Sequence, residues 1–253
     1  MYPTLPFGPI SLPTGPIFTL LAIWVGLETA SRFSRRLGLN QDTVWNAGLL
    51  AILAGLIVAR LWNVIQFWYI YVEQPLLIFS LRPSGFALIP GVIAAFTAGY
   101  GYLVYRALPP VPMAAALAVG GLAAAIVLNV GGYLTGATLG ATADGWLTLP
   151  YFGVARYPAA LFRAAGMFLA LLLVLIYAKG ANPARVLWMS GLSFCLVHLI
   201  CDAFLAESLL IGPFRAGQLL GLIGALFFTF LLARGAGDEE RSVVPQTRLK
   251  IKD

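Results

Sequence analysis

The chain reads as an all-α polytopic membrane protein, with seven transmembrane helices around a lipid cavity that opens outward. Three observations carry that expectation. Of its 253 residues 60% are hydrophobic and only 10% are charged, with a mean hydropathy of +0.88, whereas a soluble domain carries about 25% charged residues. The apolar residues fall in runs close to the about 20 that a membrane crossing requires. The basic residues crowd into the connections on one side of those runs.

The N-terminal stretch MYPTLPFGPISLPTGP is proline-rich and has no early Lys or Arg. It reads as an extended lead-in, not as a cleaved signal peptide. The expected spans cover residues 16–31, 43–65, 86–105, 113–134, 158–178, 186–205 and 215–233 of a transmembrane domain over 1–234. Pro16 suits a first helical turn, and Glu28 stands one turn before Arg32, within pairing reach. Arg60 and Asn63 lie in the second span, which runs into FWYIYVEQP, an aromatic belt of headgroup depth. PPVP separates the third and fourth spans. Residues 235–253, GDEERSVVPQTRLKIKD and the two residues before it, form a polar cytoplasmic tail.

Seven spans put the termini on opposite sides. One set of connections holds Arg32, Arg35, Arg36, Arg106, Lys179, Arg185, Arg234, Arg241, Arg248, Lys250 and Lys252; the other holds Arg82, Arg156 and Arg215. The positive-inside bias then places the N-terminus outside and the C-terminus in the cytoplasm. The formal charge of +6 reports this topology and some attraction to anionic lipid, and does not point to nucleic acid. The long connections 65–85 and 135–157 become extracytoplasmic, and they are rich in aromatics and glycine instead of charge. Non-helical backbone at membrane depth must be buried in protein or face a water-filled cavity. Such a cavity is expected here, floored by the glycine-rich run Asn129 to Gly140, NVGGYLTGATLG.

Ionisable residues within spans are costly and mark candidate sites. Arg60 reads either as a clamp on a phospholipid phosphate, with Asn63 one turn on, or as an arginine snorkelling to the outer headgroups. His198 and Asp202 share a face of the sixth span. They read as a general-base pair or as a buried tie between helices. Cys195 and Cys201 flank His198, but no second cluster of ligands accompanies them, so no metal is expected. Arg163 reads as bundle-facing or snorkelling, Arg156 as an interfacial anchor or headgroup contact, and Gln218 as a hydrogen bond to a loop or a lipid. No cofactor is expected beyond a bound phospholipid. GATLG lacks the lysine of a phosphate loop, and the last span lacks the lysine of a retinal protein.

In their order and spacing, FGPI at Phe7–Ile10, ARL at Ala59–Leu61, GVIAA after Pro90, NVGGYLTGATLG at Asn129–Gly140, RYP at Arg156–Pro158 and Gly217-Gln218 resemble the prolipoprotein diacylglyceryl transferase family. The resemblance covers nearly the whole apolar length. It implies seven spans in a bacterial inner membrane, and a cavity that takes phosphatidylglycerol from the outer leaflet. It also implies transfer of diacylglyceryl to a lipoprotein cysteine thiol. Arg60, Gly131, Gly136, Gly140 and Gln218 match the family. Elsewhere this chain departs from it. Thr14-Gly15-Pro16 replaces a Trp-Tyr-Gly, Ile89-Pro90-Gly91 a His-Gly-Gly, and Tyr157-Pro158 a His-Pro. Asn129 and Gly132 stand at the signature loop's arginine and asparagine, and His198 and Asp202 at an arginine and a glutamate of the sixth span. Losing a phosphate-holding or proton-moving group costs about 10²-fold or more. The expectation drawn from these departures is a catalytically degenerate relative that keeps a lipid site (Arg60, Asn63, Asn129, Gly131, Tyr133, Gly140, Arg156 and Gln218). Such a relative serves as an accessory subunit with a protein partner. The alternative is an active transferase on a rebuilt site, with His198–Asp202 as base pair and Arg60 on the phosphate.

Overall fold

The structure is a computed structural model that describes residues 4–7, 10–79, 85–151, 153–178, 180, 182–212 and 214–249. Gly8 and Pro9 of the FGPI landmark lie outside these residues, as do Arg82, Lys179, Lys250 and Lys252 of the charge comparison. The chain divides into two compact units, one formed by Leu27–Leu117 and the other by Met1–Gly26 with Ala118–Asp253. Two helices, α1 (Thr14–Ser34) and α5 (Pro110–Thr135), each contribute residues to both units.

In the Leu27–Leu117 unit, α2 (Gln41–Gln66) is started by Asn40, whose side chain accepts from the Asp42 amide at 2.8 Å. That bond satisfies one of the orphan donors of the first turn, and Asp42 itself complements the helix dipole. A short helix α3 (Trp68–Glu73) follows, then a 3₁₀ turn over Pro75–Phe79, then α4 (Leu88–Tyr105). The seam between α2 and α4 is built on small residues at spacing four. A Cβ on Gly55 would lie 2.8 Å from the Gly91 carbonyl oxygen and 3.0 Å from the Ala95 methyl. A Cβ on Gly91 would lie 2.7 Å from that of Ala59. Gly55 with Ala59, and Gly91 with Ala95, are therefore small-xxx-small pairs that let two backbones approach in lipid. At the basic end of α1, Arg32 Nε donates to Glu28 Oε1 at 2.6 Å, the pairing that the spacing predicts.

The other unit holds α6 (Ala159–Tyr177), α7 (Pro183–Cys201) and α8 (Ala216–Leu249), together with three hairpins. The hairpins are β1 (Thr4–Phe7) with β2 (Ile10–Pro13), β3 (Leu149–Tyr151) with β4 (Val154–Arg156), and β5 (Leu210–Ile211) with β6 (Phe214–Arg215). Asn182 caps α7 by accepting from the Ala184 amide, with Pro183 at the first helical position. Gly166 of α6 meets Val197 of α7, and Gly221 and Gly224 of α8 meet Cys195 and Leu199 of α7. Again the helices close on glycine.

Among the described residues, six helical segments are long and apolar enough to cross a membrane: Gln41–Gln66, Leu88–Tyr105, Pro110–Thr135, Ala159–Tyr177, Pro183–Phe204 and Ala216–Gly235. This is an all-α polytopic membrane protein. The first of the seven expected spans is the difference. Helix α1 is there, and its 21 residues at about 1.5 Å each are long enough. However, its polar start at Thr14-Gly15-Pro16 and the Glu28–Arg32 pair keep it out of the apolar set. Large apolar side chains line the outside, among them Leu20, Ile65, Phe96 and Leu220, and lipid is the solvent that suits them. The backbone of the polar segment after residue 235 continues α8 as far as Leu249.

Candidate active site

Helix α5 ends at Thr135, whose hydroxyl bonds back to the Gly131 carbonyl at 2.9 Å. Gly136, at φ +78°, turns the chain out of the helix, a left-handed conformation that costs glycine nothing. The chain then runs as an extended segment between two others. On one side the Ala141 amide donates to the Phe204 carbonyl at 2.8 Å, and the Ala206 amide to the Leu139 carbonyl at 2.9 Å. On the other the Tyr157 amide donates to the Ala141 carbonyl at 3.0 Å, and Thr142 is bridged with Arg156. Gly140, bridged to Leu205, lies at the centre of this sheet. A Cβ there would overlap the Tyr157 carbonyl oxygen, so only glycine fits. The rings of Tyr157, Phe162 and Phe204 pack on one another at centroid distances of 5.2 to 6.4 Å. They tie the start of α6 to the end of α7.

That junction gathers the charges. Asp202, 4% exposed, follows directly on α7. Its Oδ1 accepts from Arg163 Nε at 2.8 Å and from Arg163 Nη2 at 2.5 Å. His198 Nδ1 lies 3.3 Å from the same oxygen and 3.5 Å from Oδ2, and the imidazole packs against the Phe194 ring at 4.6 Å. Arg215 of β6 donates through Nη1 to the Asp202 carbonyl at 3.1 Å and to the Leu205 carbonyl at 2.5 Å. The Asp202 carboxylate carbon lies 3.3 Å from where a Gly217 Cβ would stand, so Gly217 makes room for the carboxylate. Gln218 Nε2 donates to the Leu199 carbonyl at 3.3 Å. A buried carboxylate is held here by a guanidinium from a neighbouring helix, and in turn it orients a histidine one turn back.

A second feature lies beside the sheet. Tyr133, Thr138, Gly140, Leu149, Tyr151, Arg156, Tyr157 and Pro158 line a pocket of about 10 Å³, room for roughly one water-sized group. Arg156 Nη1 donates to the Gly140 carbonyl at 3.1 Å. Its Nε is buried and has no hydrogen-bond partner among the described residues. The Tyr151 hydroxyl donates to the Tyr133 carbonyl at 2.6 Å, with the two rings 5.4 Å apart. Burial, and then the neighbouring Tyr133, push the Tyr151 phenol above the ordinary tyrosine value.

The candidate residues read from the sequence thus separate. Tyr133, Gly140 and Arg156 meet at the pocket, and His198, Asp202 and Gln218 at the end of α7. Asn129 is used within its own helix, donating to the Ala125 carbonyl at 2.7 Å, and Gly131 receives the Phe18 side chain. Arg60 and Asn63 belong to the other unit and act as architecture there. Arg60 Nε donates to the Ile78 carbonyl at 2.9 Å, Nη1 to Gly85 at 2.6 Å, and Nη2 to Leu77. The rings of Tyr71 and Phe86 lie 5.5 and 5.3 Å from its guanidinium carbon. The Tyr71 hydroxyl donates to Asn63 Oδ1 at 2.8 Å. In this geometry the Arg60 guanidinium fastens the connection after α3.

Arg215, Thr138 and Tyr151 were not read as site residues from the sequence, and Arg163 was read only as bundle-facing or snorkelling. Arg163 and Asp202 are 39 residues apart.

The family model described as "Prolipoprotein diacylglyceryl transferase" matches residues 4–234. The chain is also similar to three proteins named phosphatidylglycerol–prolipoprotein diacylglyceryl transferase. It is 27% identical to that of Clostridioides difficile over 205 residues, covering 80% of this chain and 82% of the relative. It is 24% identical to that of Lactococcus lactis subsp. lactis, covering 91% and 97%. It is 26% identical to that of Bacillus cytotoxicus, covering 92% of each. With a match that begins in β1 and closes at the end of the last apolar stretch, this chain belongs to the prolipoprotein diacylglyceryl transferase family.

Proposed function

We propose that the protein is an active phosphatidylglycerol–prolipoprotein diacylglyceryl transferase of the bacterial inner membrane, working with a rebuilt site. The observation that carries the reading is the Arg163–Asp202–His198 arrangement at the end of α7. The Nδ1–H of His198 donates to Asp202, leaving Nε2 to take the proton of a lipobox cysteine thiol. The thiolate attacks the diacylglyceryl carbon that bears the phosphate ester. A C–S bond forms, the C–O bond to phosphate breaks, and a glycerol phosphate leaves carrying the extra negative charge. The guanidinium groups of Arg156, Arg163 and Arg215 lie on the sheet and at its end, where such cations favour a negatively charged leaving group.

The accessory-subunit reading rested on motif residues counted missing one by one. It gains no support: the family is an enzyme family, the relatives carry transferase names, and nothing observed calls for a partner subunit. The orientation with the N-terminus outside remains part of the proposal and rests on the distribution of Arg and Lys.

The test is transfer from labelled phosphatidylglycerol to a lipobox-cysteine peptide by the purified protein. Product is expected, and His198→Ala should lower the rate by about 10²-fold with an unchanged melting temperature. No product from the unmutated protein, or full activity in the variant, would end this reading.

A further inference from the structure

We propose that the β5–β6 hairpin is a membrane-surface anchor, lying in the outer-leaflet interface with its side chains among the acyl chains and its foot fixed to the Asp202 junction. The contact with lipid stands apart from the transfer reaction; only the choice of leaflet rests on the orientation proposed above.

The stretch Ser208 to Phe214, SLLIGPF, carries no charge. In the hairpin Leu210 pairs with Arg215 and Ile211 with Phe214, and Gly212 stands at φ +61° in the turn. Successive side chains point to opposite faces of a strand, and a hairpin that stands in water keeps one face polar. Here Leu209, Leu210, Ile211 and Phe214 are 54% to 82% exposed, with apolar side chains on both faces. Four large apolar side chains crowded on one short turn mark a contact surface, unlike residues scattered singly.

What covers them follows from where the hairpin is rooted. It joins two membrane-crossing segments, one ending at Phe204 and the other starting at Ala216. Ile200 on the last turn of α7 and Leu220 near the start of α8 are more than half exposed and belong to the lipid-facing exterior. The apolar surface of the hairpin thus continues one that lipid already covers. Its backbone limits the depth. A two-stranded hairpin has open edges, and hydrocarbon does not tolerate them. The hairpin therefore lies along the boundary between headgroups and acyl chains, the depth of interfacial amphipathic elements. Glu207, charged and exposed just before it, stays on the headgroup side. At the foot, Arg215 Nη1 donates to the Asp202 and Leu205 carbonyls, and the Ala216 amide to the Leu209 carbonyl at 2.8 Å. These bonds fasten the hairpin to the end of α7, so its seating holds Asp202 near the depth of a phospholipid's glycerol.

The experiment uses the full-length protein in phosphatidylglycerol nanodiscs, with photoreactive benzoylphenylalanine in place of Phe214, Ile211 or Leu209, one at a time. A lipobox signal peptide is added in a second arm, and cross-links are mapped by mass spectrometry. Acyl-chain adducts are expected from all three positions, with or without the peptide, and far fewer from the same probe in place of Glu207. Leu210→Asn with Ile211→Asn should lower the acyl adducts at Phe214 by about 10-fold or more, since burying each such side chain contributes on that order to partition. Should the probe at one position disturb folding, the other two read the same surface. Adducts to the peptide in place of lipid would make the hairpin a substrate dock and overturn the anchor. Adducts to a second copy of the chain, or an absence of adducts, would overturn it as well. Acyl adducts in a protein that transfers nothing would sink the proposed activity and leave the anchor standing; transfer without acyl adducts would do the reverse.

Discussion

Replacing Gly140 by alanine adds one methyl group at the centre of the sheet that joins the signature loop to α6 and α7. That methyl would lie 2.8 Å from the Tyr157 carbonyl carbon and 3.3 Å from the Phe204 carbonyl oxygen, and closer still to the Tyr157 oxygen. Carbon–carbon contacts are comfortable only at about 3.5 Å and beyond, so the strand has to retreat from Tyr157 by about 1 Å. It cannot retreat freely. Phe204 closes the other side, and bonds of 2.8, 2.9 and 3.0 Å pin the Leu139–Ala141 segment to both neighbours. Breaking two or three such bonds costs about 1 kcal/mol each, giving a destabilisation of roughly 2–4 kcal/mol once partial relaxation is allowed. The functional cost is larger. The same strand carries the Gly140 carbonyl that holds Arg156, and a shift of about 1 Å in positioning groups can cost 10²-fold in rate. Gly140→Ala should therefore lower the melting temperature in detergent and reduce transfer to the lipobox peptide by about 10²-fold. A variant that melts with the unmutated protein and turns over at its rate would refute both the contact and the sheet's role. Alanine at Gly145, where no atom lies within 4 Å of the added methyl, is the matched control and should be neutral.

The remaining predictions concern single groups. Asp202→Asn keeps the shape of the side chain but leaves Arg163 buried without its counter-charge. It should destabilise the fold by about 3 kcal/mol and slow transfer by at least about 10²-fold, read by thermal melting and initial rates. Arg60→Lys cannot donate in a fork to the carbonyls of Leu77, Ile78 and Gly85, so it should cost about 2 kcal/mol in melting experiments. It should leave the apparent KM for phosphatidylglycerol unchanged; a raised KM with unaltered stability would return Arg60 to the role of phosphate ligand. Tyr151→Phe removes the bond to the Tyr133 carbonyl at a cost of about 1 kcal/mol. Because the folded phenol titrates above its unfolded value, the stability it contributes is complete below about pH 10 and is lost as the pH rises through the raised value. Urea or thermal titrations above pH 10 should then show a shallower alkaline decline in the phenylalanine variant.

The spans were legible because lipid imposes one rule, a run of apolar residues of fixed length, and six of them announce themselves with few or no charges. Helix α1 shows where the rule weakens, since a Glu28–Arg32 pair lowers hydropathy while satisfying itself at one turn's spacing. Local arrangements were likewise readable, including that pair and the facing of His198 toward Asp202. Arrangements between distant residues were not. Arg60 looked like a ligand because a guanidinium in a span is costly, yet its partners are carbonyls 17 to 25 residues away, and any residue type supplies a carbonyl. The pocket at Arg156 was legible only in part, with Tyr133, Gly140 and Arg156 grouped but Thr138, Leu149 and Tyr151 missed. Its walls come from the end of α5, the extended segment and a hairpin, and no spacing in sequence links the three.

The same limit bears on how a departure from family motifs should be weighed. By the resemblance, His198 and Asp202 stand where the family has an arginine and a glutamate, and counted position by position the site looks dismantled. What a buried carboxylate physically requires, however, is a cation in contact and not a cation at one position. Asp202 has that cation in Arg163, supplied from α6, with Nε and Nη2 both on Oδ1. The position one turn before Asp202 is then released from neutralising it and carries an imidazole whose Nδ1 the carboxylate orients. A permanently charged guanidinium cannot accept a proton at neutral pH, whereas a neutral imidazole held by a carboxylate can. A cation supplied from a neighbouring helix therefore balances the carboxylate of the junction and leaves room for a proton acceptor within it. The Arg163–Asp202 double-mutant cycle measures this directly. If Arg163→Gln and Asp202→Asn each cost about 3 kcal/mol and the double variant costs little more than either, the two groups act as one unit; full additivity would mean that they never formed one.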